Sequence, residues 1–275
     1  MNLTPKAKII IMLALFTAVY WPTFVWMNAR FLEADTYYSH GFLAPFVFAY
    51  LVWIKRDELE RCEISPQAAG LFILIPTLLI HLLAYLLEIN FISGFSIIAA
   101  LFGISLCLYG VNVTKILIFP ILFLVFMIPL PQVMIIGISF KMKIFAAQAA
   151  ASIVKIMGIK AFREGSIIFL PNTSLTVGDP CSGLRSLISL TALGALYAYL
   201  AKLSPIRKTI LFLISIPVAL AANIARIALL LLVAFVYGAQ VATGKFHDFS
   251  GFLLFIFALA GLIIAGKALS CCARD

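Results

Sequence analysis

Charge is what this sequence has least of. Of its 275 residues, 11% are Asp, Glu, Lys or Arg, while 64% are hydrophobic. A soluble domain keeps about 25% charged residues for its surface. A water-solvated globule is therefore excluded, and lipid must cover most of this chain. Absent too are the short alternating segments of a β-barrel, as are internal repeats, low-complexity stretches and linkers. The five cysteines, Cys62, Cys107, Cys181, Cys271 and Cys272, have neither the paired spacing of a zinc site nor the density of a disulfide scaffold. The net charge of +9 is spread over many short loops, without the single basic stripe that would engage nucleic acid.

What is present is a series of apolar runs of the length that spans hydrocarbon as a helix. Candidate spans are 8–28, 41–54, 67–87, 92–110, 115–130, 181–201, 208–237 and 247–267. The fold class expected is an all-α polytopic membrane protein of about eight transmembrane helices, forming one integral-membrane domain over 1–275. The short basic start, Met1 to Lys8, followed by an apolar run without a small-residue cleavage site, reads as an uncleaved first span. If the spans alternate, Lys6, Lys8, Lys55, Arg56, Arg61, Lys115, Lys202, Arg207, Lys208, Lys267 and Arg274 share one side. The positive-inside rule makes that side the cytoplasm, with both termini on it and the opposite face toward the periplasm or exterior of a prokaryotic inner membrane.

Segment 131–180 breaks the pattern. Val133 to Met157 carries Lys141, Lys143, Gln148 and Lys155 among apolar residues, which suits a helix lying in the interface. Ile167 to Leu170, then Pro171-Asn172, then Thr173 to Val177 read as a small β-hairpin on the non-cytoplasmic side.

Polar residues at membrane depth are costly and so informative, and they collect at the outer ends of the last three spans. In Gly178-Asp179-Pro180-Cys181-Ser182-Gly183-Leu184-Arg185-Ser186, Asp179 can cap a helix and Pro180 can fill its first turn. Cys181 then sits where the helix dipole and free N–H groups favour a thiolate, with Arg185 adding positive potential. The plainer reading of Cys181 is a small buried apolar residue. In Asn223-Ile224-Ala225-Arg226, an arginine inside an apolar helix needs a partner, whether a polar pocket, a carbonyl or Asp179. Asn223 lies one turn before it. His247, in His247-Asp248-Phe249-Ser250-Gly251, opens the last span either as a cap or as a proton carrier. Cysteine, arginine and histidine at one level make an inventory of nucleophile, oxyanion stabiliser and general acid/base. His40, in Ser39-His40-Gly41, can line the same pocket or cap a helix. His81 and Glu88, two turns apart, can pair with each other.

Pro180 to Ser186, Asn223 to Ile227, His247 with Gly251, and Ser39-His40-Gly41 resemble, in order, the exosortase/archaeosortase family of membrane cysteine enzymes. The Cys-Ser-Gly-Leu-Arg-Ser string is the strong element. The resemblance implies a membrane cysteine protease or transpeptidase. Such an enzyme cleaves a carboxy-terminal sorting signal, made of a short motif, a transmembrane helix and a basic cluster, and transfers the protein to an acceptor. Cys181 matches the nucleophile, Arg226 the essential arginine and His247 the essential histidine. Arg185, Asn223, Asp179 and His40 fall in supporting positions. Membrane-anchored substrate proteins, the lipid bilayer and an unidentified acceptor are the implied partners, with no metal, cofactor or nucleic acid. The rival expectation is a non-enzymatic transporter or flippase, with Arg226, His81 and Glu88 lining a path.

Overall fold

The computed structural model describes residues 5–33, 36–178 and 182–271. Among them, six helices are long and apolar enough to cross a membrane: Ile10–Leu32, Ala68–Leu86, Asn90–Tyr109, Gln132–Ile156, Pro205–Tyr237 and Phe249–Cys271. Three shorter apolar helical stretches, Ser39–Ile54, Val111–Met127 and Leu184–Leu200, complete the set. Large apolar side chains project from many of these helices. Phe72 is 85% exposed and Phe46 72%, which is tolerable only where hydrocarbon covers them. This is an all-α polytopic membrane fold, and the chain divides into two compact units, Met1–Pro131 and Gln132–Asp275.

The first unit contains α1 (Pro5–Leu32), α2 (Ala44–Ile54), α3 (Arg56–Glu60), α4 (Leu71–Leu86), α5 (Asn90–Tyr109) and α6 (Val111–Phe123). Helices α4 and α5 approach closely because Gly103 faces the backbone of Leu74 and Gly70 faces Cys107. Close approach through small residues is the usual means of association where lipid removes the hydrophobic drive. Cys107 thus has a packing role.

A polar network ties α1, α4 and α5 together. The Val19 carbonyl, 3.1 Å from His81 Nε2, can only accept, so Nε2 carries the proton and Nδ1 accepts from the Ser93 hydroxyl at 2.8 Å. Thr23 in turn bonds Ser93. The Ser96 hydroxyl donates to the Ser93 carbonyl at 2.7 Å and accepts from the Tyr20 hydroxyl at 3.0 Å. Each of these side chains thereby finds a partner, as groups removed from water require. His81 does not pair with Glu88: α4 stops at Leu86, and Glu88 sits exposed in the following turn at φ +57°. The helical spacing that suggested the pair ends before it reaches the glutamate.

The second unit contains α7 (Gln132–Ile156), a small sheet, α8 (Leu184–Leu200), α9 (Pro205–Tyr237), α10 (Ala239–Thr243) and α11 (Lys245–Cys271). Helix α7 is the segment whose lysines suggested an interfacial position. At 25 residues and a mean hydropathy of 1.5 it has the length and composition of a span. Ala146, Ala147, Ala150, Ala151 and Val154 form its buried face, against Ile227, Leu230, Leu231 and Ala234 of α9. The expected hairpin is present as β2 (Ile167–Phe169) and β3 (Ser174–Thr176). A further strand, β1 (Phe162–Glu164), extends it to a three-stranded antiparallel sheet in the order β1-β2-β3. Ile168 and Leu175, paired across β2 and β3, enter the same core as α7 and α9. The Asn172 amide at the hairpin turn donates to the Phe235 carbonyl at 2.6 Å, pinning the sheet to the carboxy-terminal end of α9.

Helix α9 has 33 residues and is about 50 Å long at 1.5 Å per residue. Hydrocarbon needs only about 30 Å of that. Gly194 of α8 makes room for the Ser215 side chain of α9, and Gly266 of α11 makes room for the Tyr197 ring of α8, so the three helices pack closely.

Candidate active site

The amino-terminal residues of α8 are placed by a left-handed glycine. The helix begins at Leu184 with Gly183 as its N-cap residue at φ +80°. It therefore starts later than the expected cap at Asp179. Asp179, Pro180 and Cys181 lie outside the described residues. Ser182 is buried, and its hydroxyl lies 3.4 Å from the Leu184 N–H, which can donate to it. Gly183 sits directly on the Asn223 side chain, so closely that an added Cβ would lie 2.5 Å from the amide carbon. Gly183 of the cysteine motif is thus seated on α9, one turn before Arg226.

Arg226 is half-buried and meets the first turns of α11. Its Nη2 is 3.1 Å from Nε2 of His247 and 3.0 Å from the carbonyl oxygen of the same residue. Its Nε lies 3.4 Å from the Ser250 hydroxyl, which itself donates to the His247 carbonyl at 2.7 Å. The partner that an intramembrane arginine requires is therefore a histidine ring, a backbone carbonyl and a serine, all from one helix. A guanidinium has only donors, so the ring nitrogen facing it presents a lone pair, and the imidazole in this arrangement is the neutral form. Gly251 provides the space: a Cβ there would be 3.2 Å from the guanidinium carbon.

Beneath this group is a narrow crevice of about 10 Å³, room for one water molecule, between α8, α9 and α11. Ser186 and Leu190 line it from α8, Ala219, Ala222, Asn223 and Arg226 from α9, and Gly251, Leu254 and Phe255 from α11. Each set repeats at three- and four-residue spacing, so each helix turns one face inward. The crevice is polar where Ser186, Asn223 and Arg226 meet and apolar below. Donors fixed beside a neutral imidazole can bind a developing oxyanion while the ring moves a proton.

Of the candidates read from sequence, Arg226, His247 and Asn223 come together, and the cysteine motif contributes Gly183 and Ser186. Arg185 is exposed on the first turn of α8. His40 belongs to the first unit, where it is stacked on Tyr38 with ring centroids 6.0 Å apart. Ser250 and Ser186 were named in the sequence only as members of their motifs, and Gly251 only as a position of the resemblance, with no role assigned to any of them. Ser250 and Gly251 follow His247 by three and four residues, and that same-face spacing was the available signal.

Helices of spanning length that enclose an arginine–histidine pair define a multi-pass membrane protein with an internal polar site. The chain belongs to the transmembrane exosortase family (Exosortase_EpsH), whose model matches residues 26–264 and so takes in Cys181, Arg226 and His247. No curated protein and no solved structure matches the chain.

Proposed function

We propose that this protein is a membrane cysteine protease or transpeptidase that cleaves a carboxy-terminal sorting signal and transfers the protein to an acceptor. The signal would be a short motif, a transmembrane helix and a basic cluster on a membrane-anchored substrate. The observation that carries the reading is the contact of Arg226 with His247, 3.1 Å between Nη2 and Nε2, beside the seat of the cysteine motif on Asn223. Family membership supports the same class of activity.

In this mechanism the neutral His247 ring takes the proton from the Cys181 thiol as the guanidinium turns from the ring toward the substrate carbonyl. The thiolate attacks that carbonyl, and Arg226 holds the oxyanion. The C–N bond breaks as His247 returns the proton to the leaving amine, giving a thioester. An acceptor nucleophile then loses a proton to His247, attacks the thioester and releases the thiolate. Asn223 and Ser186 orient the substrate backbone, and Arg185 and Asp179 tune the field at the cysteine. The basic loops suggest that the site faces the periplasm or exterior with both termini in the cytoplasm, an arrangement in which α7 lies along the interface and does not cross.

The test is co-expression of a signal-bearing substrate with Cys181→Ala. Accumulation of the uncleaved precursor is the expected result, and normal processing would remove the nucleophile assignment.

A further inference from the structure

A second site lies away from the crevice and shares no lining residue with it. An open cavity of about 590 Å³ is bounded by the end of α7 and the edge of the sheet. Lys155 and Lys160, both exposed, line it together with Phe162, Phe169, Leu170 and Pro171. The strand register sets Phe162 directly opposite Phe169, with ring centroids 6.2 Å apart. Both rings are turned away from the core that receives Ile168. Two aromatic rings left exposed on a three-stranded sheet are an unusual use of apolar surface unless something covers them.

The surroundings indicate what covers them. Ile156, 86% exposed, and Met157, 57% exposed, continue the apolar surface of α7 up to the cavity. On an apolar helix of a membrane protein such residues are covered by acyl chains, whether the helix crosses or lies at the headgroup boundary. The lysines therefore stand where hydrocarbon gives way to headgroups, and the two phenyl rings beside them offer an apolar surface to the start of an acyl chain. Among the lining residues both charges are positive and no carboxylate is present. The ligand this chemistry recognises carries negative charge at one end and hydrocarbon at the other.

We infer that this cavity binds the phosphate-bearing headgroup of an anionic phospholipid, with Lys155 and Lys160 on the phosphate and the Phe162–Phe169 pair against the glycerol and upper acyl chain. Each lysine near an anionic membrane surface is worth about fivefold in binding. The pair is therefore worth about 25-fold. The site is independent of the enzymatic reading and does not require it.

The experiment is native mass spectrometry of the whole protein released from micelles doped with phosphatidylglycerol or phosphatidylcholine. The wild-type protein should retain phosphatidylglycerol in preference to phosphatidylcholine. Lys155→Ala with Lys160→Ala should cut that retention about 25-fold, and Lys155→Arg with Lys160→Arg should preserve it. The wild-type comparison of the two lipids needs no mutation, so it decides the matter even if a variant folds poorly. Equal retention of both lipids, or undiminished retention by the alanine variant, overturns the site. Displacement of the lipid by inorganic phosphate at millimolar concentration would show a free-anion site, which also overturns the inference.

Discussion

Arg226 and His247 are joined twice, once through the imidazole ring at 3.1 Å and once through the histidine's own carbonyl at 3.0 Å. The guanidinium is therefore oriented by the backbone of α11 as well as by a side chain that can rotate. A lysine at this position delivers its hydrogens from a single point and cannot copy the fork. Arg226→Lys should lower the rate of signal processing by on the order of 100-fold. Thermal unfolding in detergent should move little. A variant that processes substrate at close to the normal rate would show that the fork is not used in the reaction.

Ser250 acts on the arginine from the far side. Its hydroxyl bridges the guanidinium Nε and the His247 carbonyl, and the residue is fully buried. Ser250→Ala should slow processing about fivefold, the worth of one ordinary hydrogen bond of about 1 kcal/mol. The loss should appear in kcat more than in KM. Ser250→Thr, which keeps the hydroxyl, should restore most of the rate. If alanine and threonine behave alike, Ser250 is only filling space.

Gly183 carries two separate demands, a left-handed backbone and direct contact with Asn223. Gly183→Ala should cost about 1–3 kcal/mol from the backbone alone, and the collision adds to it. Combining it with Asn223→Ala removes the amide contacts at 2.5 and 2.6 Å and leaves the 2.9 Å approach of the Asn223 Cβ together with the backbone term. The two substitutions should therefore be non-additive by more than about 0.5 kcal/mol in thermal unfolding. Strict additivity would mean that the motif is not seated on that amide.

The network around His81 separates the enzyme from a transporter. His81→Leu leaves the Ser93 hydroxyl and the Val19 carbonyl without their partner. It should destabilise the protein by about 0.6–1.7 kcal/mol, the range for interhelical hydrogen bonds in membranes. Processing per folded molecule should be unchanged. Lost function in a variant of normal stability would favour a polar path through the helices.

Sequence and structure agree where lipid dictates the pattern. Runs such as 208–237 and 92–110 correspond to α9 and α5 within a few residues, because an apolar stretch that long has few other ways to satisfy its backbone. Arg226 and His247 were legible for the complementary reason: a polar group in an apolar helix must be answered by another. The start of α8 was misplaced because the favoured caps, Asp179 and Pro180, precede a glycine whose φ of +80° ends the turn closer to Leu184. Helix α7 reads as interfacial from Lys141 and Lys143, and its alanine face packs into a core that composition does not reveal. Strand β1 has three residues, too few for an alternation to be visible. His81 was assigned the wrong partner because its true ones, Ser93 and a carbonyl of α1, are brought to it by tertiary packing.

The length of α9 has one more consequence. A rod about 50 Å long in a hydrocarbon layer of about 30 Å fixes the height of the guanidinium from its own end. Arg226 lies eleven residues before Tyr237, about 16 Å down the axis. A tail threaded alongside would then be measured rather than read, with the severed bond set by how far the lipid boundary stands from that mark. Thickening the bilayer with longer acyl chains would shift the place of cutting along the tail, as sliding a ruler shifts where its zero falls.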